Sequence, residues 1–259
     1  MARFTDKVAI ITGASSGLGP VMAKMMAAEG AKLVLAARRR ELVDKAASEI
    51  GEAAVAMHAD VTKEADVAAM VDAAMTRWGK VDIMMNNAAA PGVDKYIWEQ
   101  TLENWNATFA IDLTAAMLCS REVLRRSMIE RKSGVIINFS SVAGWKGVPR
   151  KSHYCSAKAG LRALTKVVAM EAAAYGVRCN CIVPGQIDTE LLRNYFKRTA
   201  GEEGISYEEK RAQMLAGVPL QTASTTEDVA NLALFLASDA ARTITGQSIN
   251  VDAGEYMVG

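Results

Sequence analysis

The stretch TGASSGLG, residues 12–19, decides the fold that the sequence predicts. It follows the apolar run KVAIIT (7–12) and precedes an amphipathic pattern at 19–29, so it lies where a strand turns into a helix. Gly13, Gly17 and Gly19 have no Cβ, and they therefore let a phosphate approach the backbone where the N–H groups of the helix are unpaired. Because strand and helix flank the glycines, the pattern predicts a dinucleotide site.

Apolar runs alternate with amphipathic stretches along the rest of the chain. The runs are 7–12, 32–37, 53–59, 81–87, 134–140, 177–183 and 247–252, and the helical patterns are 19–29, 39–50, 64–78, 103–130, 154–175 and 227–237. This alternation predicts one α/β domain over 1–259: a doubly wound, Rossmann-like parallel sheet with helices on both faces. We expect His58, which lies inside the third run, to be packed in the core.

Residues 190–218 interrupt the alternation with a long, charged stretch that has no strand character. A connection of this length inside a compact domain is typical of a functional segment. We therefore expect a substrate lid at about 190–218, with a passive helical insertion as the alternative.

The composition excludes several classes of protein. The chain has 259 residues, is 51% hydrophobic and carries a net charge of +1, which suits one large core and argues against a nucleic-acid partner. No apolar run is long enough to span a bilayer, so we expect no membrane partner. The few scattered cysteines fit a reducing cytoplasm, which is the location we expect. The four cysteines are scattered, and we expect Cys179 and Cys181 to be plain buried thiols and not metal ligands.

The end of the second run, AARRR (36–40), bears on the choice of cofactor. An acidic residue there would bind a ribose 2′-hydroxyl, but Ala37 stands at that place and Arg38 and Arg39 follow it. A guanidinium can pair with a 2′-phosphate, so the sequence favours NADP over NAD, with a solvated helix start as the alternative. Asp60, after the third run, suits either an adenine amine or a turn.

Three side chains in SSVAGWKGVPRKSHYCSAK, residues 140–158, can act together on a carbonyl. Tyr154 and Lys158 share a helical face because they are four residues apart, a spacing also common in surface pairs. Reduction of a carbonyl needs a proton for its oxygen, which Tyr154 can donate. We expect Lys158 to lower the pKa of Tyr154 from its ordinary value of about 10, and Ser141 to orient the carbonyl.

With these motifs the chain resembles the short-chain dehydrogenase/reductase family over nearly its whole length. The resemblance rests on TGxxxGxG at 12–19, NNA at 86–88, Ser141, YxxxK at 154–158, PGxxxT at 184–189 and TGQSINVDAG at 245–254. It implies a homotetramer or homodimer, a substrate-covering segment at 190–218, and contacts of Lys158 with the nicotinamide ribose. The full set of expected cofactor contacts is Gly13, Ser15, Ser16, Gly17, Leu18, Gly19, Arg38, Arg39, Asp60, Val61, Asn87, Tyr154, Lys158, Pro184, Gly185, Ile187 and Thr189.

The chain departs from the family pattern at three positions. Asp112 stands where the family has a catalytic Asn, and we expect it to take part in proton relay and to hold Lys158 cationic. Ala89 replaces the Gly of NNAG, which predicts an ordinary backbone there. Ala253 replaces the first Gly of DGG, a change that the sequence does not explain.

The sequence predicts an NAD(P)-dependent oxidoreductase that interconverts a secondary alcohol and a ketone. Candidate substrates are 3-oxoacyl groups, sugars or polyols, and alcohols of degradation pathways. A group of basic residues could steer an anionic substrate or simply form a solvated rim: Lys146, Arg150, Lys151, His153, Arg193, Lys197 and Arg198. Two other functions stay open, a nucleotide sensor without turnover and non-redox chemistry, although the intact Ser141, Tyr154 and Lys158 argue against the first and the glycines against the second.

Overall fold

A seven-stranded parallel sheet forms the centre of the protein in a computed structural model that describes residues 2–257. The strands are β1 (Val8–Thr12), β2 (Lys32–Ala37), β3 (Ala54–His58), β4 (Ile83–Asn86), β5 (Gly134–Phe139), β6 (Val177–Pro184) and β7 (Ser248–Val251). Their order is β3-β2-β1-β4-β5-β6-β7, and every neighbouring pair is parallel. The direction of winding reverses between β1 and β4, so a crevice opens at their carboxyl ends, where sheets of this kind bind ligands.

Helices cover both faces of the sheet. They are α1 (Leu18–Ala28), α2 (Arg40–Ile50), α3 (Glu64–Trp78), α4 (Leu102–Phe109), α5 (Ala115–Val123), α6 (Ile129–Arg131), α7 (Ser152–Ala172), α8 (Glu190–Glu203), α9 (Tyr207–Leu215) and α10 (Thr226–Ala237). The stretch from α4 to α6 is continuous, because π turns at Ala110–Thr114 and Leu124–Met128 join its parts. None of the helices described is long and apolar enough to cross a bilayer.

The core has two layers, one on each face of the sheet. All five residues of β1 are buried, and they alternate: Ala9 and Ile11 face one layer, Val8 and Ile10 the other. This period of two is what a strand buried on both faces produces. The arrangement confirms the doubly wound, Rossmann-like fold predicted from the alternation of runs.

The edge strand β3 differs from its prediction. None of its five residues is fully buried, and His58 at its end is exposed, so the expectation of a core histidine at this position is wrong. The physical reason is the position of β3 at the edge, where the strand has only one neighbour, β2. The buried histidine of the chain is His153, with no exposed surface.

Ala89 and Ala253, which replace glycines of the family pattern, differ in backbone conformation. Ala89 is not among the residues with positive φ, which confirms the ordinary backbone expected there. Ala253, by contrast, has a φ of 53°, in the left-handed region that glycine adopts without strain. The alanine in DAG therefore occupies a conformation that suits the glycine of the family pattern.

Candidate active site

The glycine turn, residues 12–19, is held close to the end of β4. Gly13 has a φ of 68°, and a Cβ on it would lie 2.9 Å from the Cα of Ala88. A Cβ on Gly19 would lie 2.5 Å from the carbonyl oxygen of Gly13. Gly17, at the N-cap of α1, has no side chain to bond the first N–H groups of the helix. No side chain therefore occupies the first N–H groups of α1, which is the condition for binding an anion there.

Thr12 and Asn87 join the glycine turn to β4. The Thr12 hydroxyl accepts hydrogen bonds from the backbone N–H groups of Asn87 and Ala88, each at 3.1 Å, and donates to the Met85 carbonyl at 3.2 Å. The Asn87 amide donates to the carbonyl of Thr12 at 3.0 Å and to that of Gly13 at 3.3 Å. Asn87 thus fixes the position of the glycine turn relative to the end of β4.

Arg39 lies over the hydroxyls of the glycine turn. Its Nη2 is 3.0 Å from Ser15 Oγ and also bonds Ser16 Oγ. Arg38 and Arg39 are exposed, whereas Ala37, the last residue of β2, is buried and uncharged. The turn therefore combines an exposed guanidinium, two hydroxyls and no carboxylate, a set of groups that suits a phosphate oxygen.

Asp60 and Val61 lie at the next position along the same edge. Asp60 Oδ1 accepts from the backbone N–H of Thr62 at 3.1 Å and from its hydroxyl at 2.8 Å, so this carboxylate forms a turn. Val61 is buried with 7% of its surface exposed. Asp60 therefore has the turn contacts of one of the two roles that the sequence allowed it.

A buried ion pair stands beside Tyr154. Lys158 Nζ is 2.8 Å from Asp112 Oδ1, and the two side chains are 3% and 0% exposed. The same Nζ donates to the Phe139 carbonyl at 2.9 Å and lies 5.6 Å from the centre of the Tyr154 ring. We call Ser141, Tyr154, Lys158 and Asp112 the Tyr154 cluster.

The π turn between α4 and α5 carries Asp112 into the cluster. Asp112 is 1% exposed, and its Oδ2 accepts from the backbone N–H of Ala90 at 3.1 Å. A backbone N–H can only donate, so an acceptor is required on this side of the residue. The carboxylate supplies one acceptor to Ala90 and one negative oxygen to Lys158.

The pKa of Tyr154 differs from the expectation. Burial of the phenol raises its pKa more than the positive charge of Lys158 and a hydrogen bond with Ser141 lower it, and the negative charge of Asp112 raises it further. The prediction of a lowered Tyr154 pKa is therefore wrong, although Lys158 acts on it in the predicted direction. Burial also lowers the pKa of Lys158, but the carboxylate of Asp112 outweighs it, and the pKa of Lys158 is raised.

The remaining predicted site residues lie on loops at the same edge. The Ser141 hydroxyl accepts from the backbone N–H of Ala143 at 3.2 Å. Pro184 ends β6, and Gly185 leaves no room for a Cβ, which would lie 2.7 Å from Glu255 Oε2. Thr189 caps α8 by accepting from the Leu192 N–H, and Ile187 bridges to Ser224.

Sequence reasoning missed two backbone groups of the site. The carbonyl of Phe139 fixes the Lys158 ammonium and the N–H of Ala90 fixes Asp112. Every residue carries such groups, so no residue type in the sequence could have singled them out.

Two of the four thiols lie in the buried strand β6, as predicted. Cys179 and Cys181 are unpaired and buried. Burial raises the pKa of Cys181 to about 11, so this thiol stays protonated at neutral pH.

Comparisons with known proteins agree with the fold. A family model described as enoyl-(acyl carrier protein) reductase matches residues 13–255. Sorbitol dehydrogenase of Cereibacter sphaeroides is 34% identical over 98% of this chain and 99% of its own length. The 3-oxoacyl-[acyl-carrier-protein] reductase of Synechocystis sp. is 36% identical over 99% of this chain and 100% of its own. The crystal structure of levodione reductase superposes with a TM-score of 0.91 at 32% identity, covering 98% of both chains.

These matches span the glycine turn, the Tyr154 cluster and the sheet that holds both. The chain therefore belongs to the short-chain dehydrogenase/reductase family and is an NAD(P)-dependent oxidoreductase of alcohols and ketones.

Proposed function

We propose that the protein uses NADP and that the Tyr154 cluster carries out proton transfer to and from a secondary alcohol or ketone. The observation that carries the proposal is the placement of the buried Lys158–Asp112 pair and Tyr154 at the sheet edge that bears the glycine turn. A nicotinamide bound at this edge supplies or accepts the hydride. The residues of the protein transfer the proton.

Tyr154 is the general acid in reduction and the general base in oxidation. Its raised pKa keeps the phenol protonated at neutral pH, so it is ready to donate a proton to a carbonyl oxygen. Ser141 directs its hydroxyl to the same oxygen and fixes the orientation of the carbonyl. Oxidation needs the phenolate, and its rate rises toward alkaline pH for that reason.

Asp112 and Lys158 set the charge beside the phenol. The ammonium stabilises the phenolate, and the carboxylate opposes it, so the two together tune Tyr154. Lys158 also holds the ribose hydroxyls of the nicotinamide half. In this role the pair acts as one unit, because either charge alone would be buried without a partner.

The residues that would hold the cofactor line the crevice from the glycine turn to the end of β6. Arg39 and Arg38, with the hydroxyls of Ser15 and Ser16, bind the 2′-phosphate that distinguishes NADP from NAD. The other contacts are Gly13, Gly17, Leu18, Gly19, Asp60, Val61, Asn87, Pro184, Gly185, Ile187 and Thr189.

Three cations of the basic group are paired with carboxylates and a fourth member, His153, is buried, which favours a neutral substrate over an anionic one. Lys146 lies 3.1 Å from Glu255, Lys151 lies 3.8 Å from Asp94, and Arg193 binds both oxygens of Asp188. Cations that are already paired attract an anion weakly. We therefore propose a neutral hydroxylated substrate of the sugar or polyol class, which the similarity to sorbitol dehydrogenase supports.

The helical pair α8 and α9 is proposed as the lid, because Thr189 joins the cofactor crevice directly to the start of α8. We further propose a homotetramer or homodimer that covers the apolar side chains on the outer faces of α5 and α7. Among these Met117, Val167 and Met170 are 37%, 49% and 81% exposed. The free thiols fit a reducing cytoplasm.

The test is a substrate screen that follows the absorbance of reduced nicotinamide with each cofactor. Polyols and sugars are compared with a 3-oxoacyl thioester and a carboxylated cyclic alcohol. We expect turnover with NADP on a neutral polyol or its ketone. Turnover confined to the thioester would contradict the proposed substrate class, and turnover confined to NAD would contradict the proposed cofactor. Tight cofactor binding without any turnover would contradict the proposed catalytic role of the Tyr154 cluster.

A further inference from the structure

His153 precedes Tyr154 on α7 and is completely buried, with 0% of its surface exposed. Both ring nitrogens have a polar partner. Nε2 is 3.0 Å from the carbonyl oxygen of Pro91, and Nδ1 is 2.6 Å from the amide nitrogen of Gln100. Nothing in the proposed chemistry uses this ring, and yet the protein encloses it in a hydrogen-bond network.

The partners determine which ring nitrogen carries the proton. The carbonyl of Pro91 can only accept, so Nε2 of His153 must donate. The amide oxygen of Gln100 accepts from the Thr101 N–H at 3.2 Å and from Asn104 Nδ2 at 2.7 Å, which leaves its amide nitrogen facing the ring. Nδ1 therefore accepts, and the network admits a single neutral tautomer.

The hydrogen bonds of this network hold residues 88–96 in place. These residues follow β4 and have no regular secondary structure, and we call them the wall segment. Asn104, the next member of the network, binds both backbone groups of Val93 at 2.9 Å. Gly92 has a φ of 69°, and a Cβ on it would lie 2.7 Å from the His153 ring. The ring and the wall segment are therefore in direct contact as well as hydrogen-bonded.

The wall segment also touches the Tyr154 cluster. Ala90 donates its backbone N–H to Asp112, and the next residue, Pro91, offers its carbonyl to His153. The two neighbouring groups are thus held by two different side chains, those of Asp112 and His153. A shift of Pro91 would move Ala90 with it, and Asp112 would lose one of the contacts that keep it beside Lys158.

We propose that His153 is a positioning residue for the catalytic centre: its Nε2–H holds Pro91, and through Ala90 it keeps Asp112 and Lys158 aligned beside Tyr154. This inference rests on the proposed function, because the alignment matters only if the Tyr154 cluster does the chemistry. Small displacements of such groups are costly, since catalysis depends on geometry.

Two substitutions separate the two ring contacts. In His153→Gln the amide nitrogen takes the place of Nε2 and keeps the donor to Pro91, while in His153→Asn the side chain reaches only the place of Nδ1 and keeps the contact with Gln100. We expect kcat to fall about tenfold in His153→Asn, because the buried carbonyl of Pro91 is left without a donor. In His153→Gln the donor is kept, and kcat should fall less than about threefold. KM for NADP should stay the same in both.

Ser127→Ala serves as the control for a purely structural defect. Ser127 is 2% exposed, and its hydroxyl binds the backbone of Val81 at the opposite edge of the sheet. We expect its melting temperature to fall while kcat holds. Equal losses of kcat in the Gln and Asn variants, or no loss in either, would contradict the proposal.

Two measurements do not depend on activity. Amide hydrogen exchange in residues 88–96 should accelerate in His153→Asn and stay slow in His153→Gln, and nitrogen NMR of wild-type His153 should show the proton on Nε2. A proton on Nδ1, or equal exchange in both variants, would overturn the proposal. If wild-type exchange and tautomer are as stated but no substrate turns over, the failure lies with the proposed function.

Discussion

The glycine turn and the Tyr154 cluster lie at the same edge of the sheet but are held in different ways. In the turn, shape comes from glycine backbone, and the charged groups, Arg38 and Arg39, are exposed. In the cluster, Lys158 and Asp112 are two opposite charges with almost no exposure. Water can replace a lost side chain at the turn. In the cluster a lost partner leaves a buried charge alone, so the effects of substitution should be larger and coupled.

The largest effect is expected at the reacting group. Tyr154→Phe removes the proton donor, and turnover should fall by at least about a thousandfold, within the range attributed to general acid–base catalysis. Binding of NADPH, followed by its fluorescence, should change little. If the variant keeps turnover close to wild type, another group supplies the proton.

The next effect tests the buried pair. Asp112→Ala leaves the buried Lys158 ammonium without a negatively charged partner, and the free energy of unfolding should fall by about 3–5 kcal/mol in chemical denaturation. Asp112→Asn keeps the shape and should lose less. Because the pair raises the pKa of Lys158, its contribution is present at neutral pH and is lost as pH rises through that raised pKa. Equal stability of both variants and wild type would show that the pair contributes nothing.

Effects at the glycine turn should be smaller and selective. Arg39→Ala should raise KM for NADP by about ten- to a hundredfold, the range for one lost charged hydrogen bond, and leave KM for NAD unchanged. The difference should shrink in high salt because Arg39 is exposed. Ala37→Asp, which adds the missing carboxylate, should favour NAD. An equal change with both cofactors would show that Arg39 does not bind the 2′-phosphate.

The smallest expected effect lies outside both regions. Ala253 has a φ of 53°, and Ala253→Gly relieves a left-handed strain of about 1 kcal/mol. The melting temperature should rise by roughly 2–4 °C. Gly254→Ala, at a φ of 86° and with a Cβ 3.0 Å from Pro219, is the opposite control and should lower it. A lower melting temperature for Ala253→Gly would mean that packing of the Ala253 methyl group stabilises the protein by more than the left-handed backbone strain destabilises it.

The sheet and its glycine turn were predictable because their signals are local. The runs at 32–37 and 177–183 match β2 and β6 within a residue, since strands buried on both faces are continuously apolar. His58 shows the limit of this reasoning. Its run predicts a strand correctly, but whether that strand is central or at the edge depends on the order of strands, which the run does not encode.

The Tyr154 cluster was predictable in membership but not in electrostatics. The four-residue spacing predicted that Tyr154 and Lys158 lie together. Asp112 was predicted near them because it stands where the family pattern has its catalytic Asn. The sign of the Tyr154 pKa shift depends on burial and on a carboxylate from another helix. His153 was assigned to the basic group around the substrate site, but it is buried and cannot form a solvated rim. The sequence could not show this, because its partners, Pro91 and Gln100, lie more than fifty residues away in the chain.

The most direct test of this account is the ionisation of Tyr154 itself, followed by ultraviolet difference spectroscopy with Tyr154→Phe subtracted as the blank. In the free wild-type protein the midpoint should lie above the ordinary tyrosine value of about 10, and in Asp112→Asn it should move to lower pH. The rise of the oxidation rate with pH should move in the same direction. A wild-type midpoint below the ordinary value, or one that Asp112→Asn leaves unchanged, would contradict the claim that Asp112 and Lys158 jointly set the acidity of Tyr154.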